Sequence, residues 1–208
     1  EKEILHTFES IASSLGEKIT AQLFERYGDV QAFAQAMAST DPKLMQPNLD
    51  GYVVLYGIYD VIVLLDAQGN YISSNTKTAA GKELNLDELK KFNFADTPWF
   101  KAAASGQFTE DKANAYAGTF IEETHYDPIT KAAFGEDRPM NSFTAQVKGP
   151  DGKVIGVITN RASTKWIDAE IQSTYGMLKG LGNLGAKVSL INKDGYVLAE
   201  LDPHENGE

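Results

Sequence analysis

Apolar residues recur every three or four positions along the first 38 residues of the chain. This spacing places them on one face of an α-helix, and no proline interrupts the segment before Pro42. A helix of about 35 residues is about 50 Å long, too long for the interior of a small domain. We therefore expect part of it to stand beside the domain or to pair with a second copy; an ordinary core-facing helix is the alternative. The apolar positions are Ile4, Leu5, Phe8, Ile11, Ala12, Leu15, Ile19, Leu23 and Phe24.

The period of the pattern changes after residue 50. Residues 39–50 are rich in helix-breaking residues and are predicted to form a link, and "GYVVLYGI" continues as a short helix. Residues 61–65 are then continuously apolar, "DAQGN" is typical of a turn and "YISS" alternates, which predicts a strand, a tight turn and a strand. The same pattern returns in "FTAQVKGPDGKVIGVITNR" and in "AKVSLINKDGYVLAEL". Turns with Asp or Asn and Gly indicate an antiparallel sheet.

Helical segments separate these strand pairs. "NLDELKKFNFADTPWFKAAASG" is predicted to be helical, a further strand ends near "EETHYDPITKAAFGEDRP", and "STKWIDAEIQSTYGMLKGLG" is predicted to be a linking helix. The expected fold class is therefore α+β. A long helix occupies residues 1–40, a module with a central antiparallel sheet residues 41–164, and a linking helix with a reduced or truncated second module residues 165–208.

An internal echo relates the first and last strand pairs. When "VIVLLDAQGNYI" is aligned with "KVSLINKDGYVL", Asp66 falls on Asn192 and Gly69 falls on Gly195. A duplicated structural unit requires such an equal offset, whereas chance similarity of strand–turn–strand composition is the alternative.

Composition narrows the classes of function. The 208 residues include 42% apolar and 23% charged residues, as in ordinary globular domains. The net charge of -10 and the lack of any basic run argue against a nucleic-acid partner. The absence of cysteine excludes disulfides and thiol chemistry. No apolar run approaches the roughly 20 residues of a membrane span, but the chain begins with Glu1, so we expect it to be excised from a longer protein.

Motifs of the common enzymes are missing. The sequence contains no GxSxG, GxxxxGK[ST] or HExxH motif and no GxGxxG motif after a strand. Glu122 and Glu123 are adjacent, so in a strand they point to opposite faces, which is poor geometry for acid–base chemistry. We expect no catalytic residue and no cofactor. An unrecognised enzyme and a non-sensory binding or adhesion module are the alternatives.

Arg161 ends the apolar strand in "DGKVIGVITNRAS". A guanidinium is a planar fork of donors that suits a carboxylate, so Arg161 is a candidate ligand contact. The alternative is a salt bridge with Asp127 or Asp96. A buried pair of this kind could itself frame a ligand.

His125 and Asp127 share one face of the predicted strand, and Tyr126 lies on the other. Polar groups that face a sheet interior need partners, and a ligand can be one of them. The alternative is that Asp127, which precedes Pro128, caps a turn. No metal site is expected, because the other two histidines lie on the long helix and in the tail.

Aromatic residues supply further candidates. Trp99 and Phe100 follow a proline that starts a helical turn, where they could belong to the core or to a pocket wall. Tyr52, Tyr56 and Tyr59 share one face of the helix before the first strand, and Tyr116 lies in "NAYAGTF". These tyrosines are also candidate ligand contacts, and core packing is the alternative role for them.

The order of "YDVIVLLDAQGNYISSN", "FADTPWFKAAASGQ", "HYDPIT" and "GPDGKVIGVITNRAS" resembles that of Cache domains, the extracytoplasmic sensor domains of bacterial chemoreceptors, sensor kinases and cyclases. The resemblance covers nearly the whole chain, and the echo suits the double-Cache form. It implies a long helix that rises from the membrane, a membrane-distal PAS-like module that binds a small ligand, and a smaller module beside the membrane.

Within the amino-acid-binding branch, Trp99 corresponds to a pocket tryptophan, and Phe100 stands where a tyrosine is usual. Thr97 replaces the arginine that holds the ligand carboxylate. His125 and Asp127 correspond to a pocket Tyr-x-Asp pair, so the aspartate alone is kept.

Arg161, with Asn160 beside it, falls where the family has the aspartate that grips the ligand ammonium. The expected ligand is therefore a small organic anion, such as a short-chain carboxylate, with Arg161 and Trp99 as its main contacts. The alternative is an amine or amino acid held by Asp127, with Arg161 structural.

The resemblance implies the periplasmic ligand-binding domain of an inner-membrane chemoreceptor. It implies a homodimer through the N-terminal helix, membrane anchoring through segments outside this chain, and a ligand that shifts the balance between two helix packings. A histidine kinase or a diguanylate cyclase is the alternative output. The candidate ligand-binding residues are Trp99, Arg161, Asp127, His125, Phe100, Asp96, Tyr116, Tyr56 and Asn160.

Overall fold

The computed structural model describes residues 2–113, 115–192 and 194–205, with side chains described from Ile4 onward. These residues form two compact units. The larger unit is Glu25–Ser163, and the smaller one combines the N-terminal residues as far as Phe24 with the residues from Thr164 onward.

The long N-terminal helix is confirmed as α1, Lys2–Met37. The second helix, α2, is longer than predicted and spans Pro42–Tyr56, so the expectation of a link over residues 39–50 is wrong for most of that segment. Asp41 caps the helix by accepting a hydrogen bond from the backbone N–H of Lys43. Pro42 lies in the first turn, where a helix needs no N–H from it, so it begins the helix, and Pro47 is accommodated inside it.

The larger unit contains the antiparallel sheet that the pattern predicts, with the strand order β2-β1-β5-β4-β3. The α+β fold class is therefore confirmed. The central strands β5, β1 and β4 are the most buried, which fits the continuous apolar run of β1. The strands are β1 Tyr59–Asp66, β2 Tyr71–Ser74, β3 Thr119–Tyr126, β4 Pro139–Lys148 and β5 Val154–Ser163.

Three short helices cover one face of this sheet: α3 Leu86–Lys91, α4 Pro98–Ala104 and α5 Pro128–Phe134. Trp99 and Phe100 of α4 and Ile129 of α5 pack with alternate residues of β1 and β5 in one apolar core. On α1, Asp29 accepts a hydrogen bond of 2.6 Å from the Tyr59 hydroxyl, so α1 contacts the start of β1. The helices α4 and α5 are the elements that position the candidate site.

The smaller unit contains α6, Lys165–Gly180, and a two-stranded sheet of β6, Val188–Ile191, and β7, Val197–Leu201. Its core joins the apolar face of α6 to Leu15 and Ile19. Among the described helices, none is long and apolar enough to cross a membrane.

The internal echo corresponds to two copies of the same turn. The Oδ1 atom of Asp66 accepts hydrogen bonds from the second and fourth residues after it, and Oδ1 of Asn192 does the same. Gly69 and Gly195 donate to the carbonyl oxygens of these two residues and have φ angles of 84° and 88°, a region that favours glycine. The two strand pairs therefore share a turn type as well as a composition.

Glu136 lies just beyond α5 and leads to a prediction about acid stability. Hydrogen bonds from Lys82 (2.6 Å) and from Arg138 lower the pKa of the Glu136 carboxyl from 4.5 to about 2. Because the folded pKa lies below the ordinary value, this stabilisation is complete above about pH 4.5 and is lost as the pH falls toward 2. We expect the melting-temperature difference between the wild type and Glu136→Gln to narrow over this range. A difference that stays constant from pH 6 to about pH 2.5 would contradict the assignment.

Candidate ligand-binding site

Arg161 lies near the end of the central strand β5 and is fully buried, with 0% of its surface exposed. In the sheet register it lies opposite Ser142 of β4 and Val61 of β1. Alternation along β5 places Thr159 on the same face, toward α4 and α5. The apolar strand therefore carries its cation into the core and not to solvent.

Asp127 is the carboxylate that pairs with Arg161. Its Oδ2 atom lies 2.6 Å from Arg161 Nε, and only 1% of the Asp127 side chain is exposed. The other oxygen, Oδ1, caps α5 by accepting a hydrogen bond of 3.0 Å from the backbone N–H of Ile129. The salt bridge and the cap expected as alternatives for these residues are thus both present.

The guanidinium of Arg161 is held on two further sides. Its Cζ atom lies 4.9 Å from the centre of the Trp99 ring, a cation–π contact. Its Nη1 atom donates to Thr159 Oγ1, which lies 2.8 Å from Thr144 Oγ1. Trp99 therefore positions the arginine, and its ring face toward Arg161 is occupied.

One edge of the guanidinium remains unsatisfied. Among the described residues, Arg161 Nη2 has no hydrogen-bond partner, and Asp127 Oδ2 has no donor aligned with it. The nearest acid beyond Asp127 is Glu122, whose Oε2 atom lies 3.8 Å from Nη2 and accepts a hydrogen bond of 2.5 Å from Ser142 Oγ. Buried donors and acceptors without partners are costly, so this edge is suited to an external polar group.

The polar cluster reaches solvent at Glu122 and His125, whose side chains are 26% and 28% exposed. His125 Nε2 lies 3.9 Å from Glu122 Oε2 and 4.0 Å from Asp127 Oδ1. A register shift in β3 between Glu122 and His125 brings both side chains to the same face. Within the described residues, no three side chains of suitable type are arranged to hold a metal ion.

The balance of charge in the cluster is acidic. Arg161 contributes one positive charge, and Asp127 and Glu122 contribute two negative charges within 4 Å of it. With His125 neutral, the cluster therefore carries a net charge of -1. An incoming anion would meet two carboxylates beside the guanidinium, whereas a cationic group would meet acceptors.

The structure brings four of the predicted residues together: Trp99, His125, Asp127 and Arg161. Phe100 lies in the apolar core behind Trp99. Asp96 is exposed and accepts a hydrogen bond of 2.6 Å from Asn93, away from Arg161.

The remaining predicted residues lie elsewhere. Tyr116 packs against Tyr27 of α1, and Tyr56 packs against Phe33. Asn160 precedes Arg161 in a regular strand, so its side chain points to the opposite face of the sheet. These contacts place all three on the α1 side of the larger unit, away from the guanidinium.

Thr97 acts as the N-cap of α4. Its hydroxyl caps α4 by accepting from the backbone N–H of Phe100, and it donates to the carbonyl of Phe94. It therefore serves the helix and offers no cation at this position.

Sequence reasoning missed Glu122, Ser142, Thr144 and Thr159. A signal for three of them was present, because polar residues at alternate positions in neighbouring strands, Ser142 with Thr144 and Thr159 with Arg161, form a polar stripe across the sheet. In the sequence, Glu122 stands out only as the neighbour of Glu123, a pair with poor geometry for acid–base chemistry. Its approach to His125 depends on the register shift, which the sequence does not reveal.

No protein-family model matches the chain, and no curated protein matches its sequence.

Solved structures match the fold. The ligand-binding domain of the Pseudomonas fluorescens chemoreceptor CtaA, in complex with L-isoleucine, is 19% identical, with a TM-score of 0.57 over 90% of this chain and 64% of that one. The ligand-binding domain of the Pseudomonas aeruginosa amino acid chemoreceptor PctC, in complex with GABA, is 16% identical, with a TM-score of 0.65 over 97% and 75%. The sensor domain of the V. cholerae histidine kinase DctB is 15% identical, with a TM-score of 0.64 over 98% and 69%.

These similarities show that the chain has the fold of receptor sensor domains, as the sequence resemblance predicts. The chain spans 64% of the CtaA domain and 75% of the PctC domain.

Proposed function

We propose that this chain is the extracytoplasmic ligand-binding domain of a bacterial membrane receptor, and that a small molecule binds at the edge of the Arg161–Asp127 pair. The main support for the proposal is this buried ion pair. The guanidinium of Arg161 stacks on Trp99, and its Nη2 atom has no hydrogen-bond partner among the described residues. The fold shared with chemoreceptor and sensor-kinase domains supports it. The role is binding and signalling, not catalysis.

A purely structural role is a poor explanation for the ion pair. Replacing a buried ion pair with apolar residues of similar volume is often neutral or stabilising, so such a pair is not needed to hold a core together. Here the pair contacts the apolar core only at Trp99, beneath the guanidinium, and at Ile129, whose N–H the carboxylate caps. Its unsatisfied edge, directed toward the partly exposed Glu122 and His125, is better explained by a ligand.

The ligand class follows from the charges. We expected an organic anion held by Arg161 and Trp99, but Asp127 and Glu122 already balance Arg161. The acidic cluster favours a ligand with an ammonium group. Arg161 Nη2 makes no hydrogen bond within the described part of the chain and lies 3.8 Å from Glu122 Oε2, so it is the donor for a carboxylate on the same molecule. L-isoleucine and GABA, bound in the CtaA and PctC domains, carry both groups. We therefore favour a small amino-carboxylate, and the organic anion becomes the second candidate.

The proposal also covers the type of receptor, its location in the cell and its oligomeric state. We favour a chemoreceptor in the inner membrane with a periplasmic sensor, a homodimer through α1, and membrane anchors in the full-length protein. The fold similarity to DctB makes a sensor kinase the alternative.

A thermal-shift experiment with three compounds of one carbon chain tests the proposal. GABA carries both charges, n-butylamine lacks the carboxylate and butyrate lacks the ammonium. At about a hundred times its dissociation constant a ligand adds about 2.7 kcal/mol to the free energy of unfolding. We expect GABA to raise the melting temperature most, butylamine less and butyrate least.

Glu122→Gln and Glu123→Gln provide a matched pair of variants, since the two residues are adjacent but only Glu122 approaches Arg161. The first should weaken the response to GABA and the second should leave it unchanged. A response to butyrate alone would restore the organic anion as the ligand. Equal loss in both variants, or in neither, would remove Glu122 from the site.

A further inference from the structure

His125 has a defined tautomer. Its Nδ1 atom lies 2.7 Å from the carbonyl oxygen of Glu123. A carbonyl oxygen only accepts, so Nδ1 carries the hydrogen in this bond, and Nε2 of the neutral ring is an acceptor. The backbone of β3 therefore turns the acceptor nitrogen of His125 toward the polar cluster.

Three acceptors meet where the cluster opens to solvent. They are His125 Nε2, Glu122 Oε2, which lies 3.9 Å from this nitrogen, and Asp127 Oδ1, which lies 4.0 Å from it. The charged groups around His125 are Glu122 on β3, Asp127 at the start of α5 and Arg161 on β5. From β4, the neutral Ser142 donates to Glu122. A neutral imidazole facing two carboxylates has no donor to offer them.

We propose that His125 makes ligand binding depend on pH, so that the domain responds to a small ammonium compound and to acidity together. The inference rests on the proposed function. The neutral ring completes a set of acceptors for the ammonium group of the ligand. The protonated ring forms an ion pair with Glu122 and Asp127 across 3.9 Å and 4.0 Å, and this positive charge competes with the ammonium group.

The direction of the effect follows from the charges. Histidine side chains take up a proton within the range of about pH 8 to pH 5. Protonation of His125 repels an ammonium compound, so the affinity for such a ligand falls as the pH falls. An anionic ligand would show the opposite trend, because the added charge would attract it.

Isothermal titration calorimetry with GABA, at about pH 8 and about pH 5.5, tests the inference. GABA keeps both of its charges over this range. One linked proton changes the affinity by at most about tenfold per pH unit, and we expect a loss of about tenfold in the wild type. His125→Gln keeps an acceptor but does not titrate, so it should bind GABA at both pH values with a difference of less than about twofold. His6→Gln, on the exposed surface of α1, should behave as the wild type.

The outcomes are distinguishable. Binding of GABA with the same affinity at both pH values, or a pH dependence that survives in His125→Gln, overturns the role of His125 and leaves the proposed site intact. If the wild type binds neither GABA nor n-butylamine at either pH, the proposed ligand class and the inference fail together. A melting curve of His125→Gln at each pH shows that the variant is folded, which its partly exposed position favours.

Discussion

Replacing Arg161 with methionine is expected to lower the free energy of unfolding by about 3–5 kcal/mol. The substitution leaves the Asp127 carboxylate, which is 1% exposed, without the guanidinium that lies 2.6 Å from it. An uncompensated buried charge is the costliest single change at this site. Urea denaturation, followed by circular dichroism, measures the loss.

The double variant Arg161→Met/Asp127→Asn should recover most of this stability, because both charges are then gone. The asparagine side chain keeps the oxygen that caps α5. Lys101→Met is the matched surface control, since its pair with Asp96 is exposed and spans 3.4 Å, and it should cost about 1 kcal/mol or less. A double variant as unstable as Arg161→Met would mean that the guanidinium stabilises the core by packing on Trp99 and not by charge pairing.

The second large effect is expected at Gly156, where β5 pairs with the end of β1. A Cβ atom at this position would lie 2.3 Å from the carbonyl oxygen of Leu65. That oxygen belongs to the backbone of a paired central strand and cannot move aside as a flexible side chain can. Gly156→Ala should therefore cost about 3 kcal/mol, at the upper end of the range for an overpacked core.

Gly51→Ala is the control for the loss of glycine itself. Gly51 lies within α2, with no atom within 4 Å of an added Cβ, so alanine should stabilise the protein by about 0.5–1 kcal/mol. Chemical denaturation should give a lower free energy of unfolding for Gly156→Ala than for the wild type, and a higher one for Gly51→Ala. A neutral Gly156→Ala would show that β1 and β5 are not paired as described.

Local patterns in the sequence predicted the elements of the fold well. Each unit of strand, tight turn and strand is encoded by one continuous stretch of sequence, so all three units were predicted. The turns that begin at Asp66 and Asn192 have the same pattern of backbone hydrogen bonds. The error at residues 42–50 has a local cause. Pro42 was interpreted as a helix breaker, although after the cap Asp41 it starts a helix.

The candidate site was predicted only in part, because it is assembled across strands. The alternation of side chains along a strand implies that Asn160 and Arg161 face opposite sides of the sheet, but the family resemblance made both of them candidate ligand contacts. Glu122 and His125 would point to opposite faces of a regular strand, and only the register shift in β3 unites them. Such an irregularity depends on how β3 pairs with β4, which no local pattern encodes.

Calorimetric titration of GABA into the wild type and into Arg161→Met/Asp127→Asn tests whether the ligand binds at the buried ion pair. The double variant removes the proposed ligand-binding charges while keeping the core folded, so a loss of binding cannot be ascribed to unfolding. We expect measurable binding to the wild type and none to the double variant. Binding of equal affinity to both proteins would contradict this expectation and would place the ligand away from the Arg161–Asp127 pair.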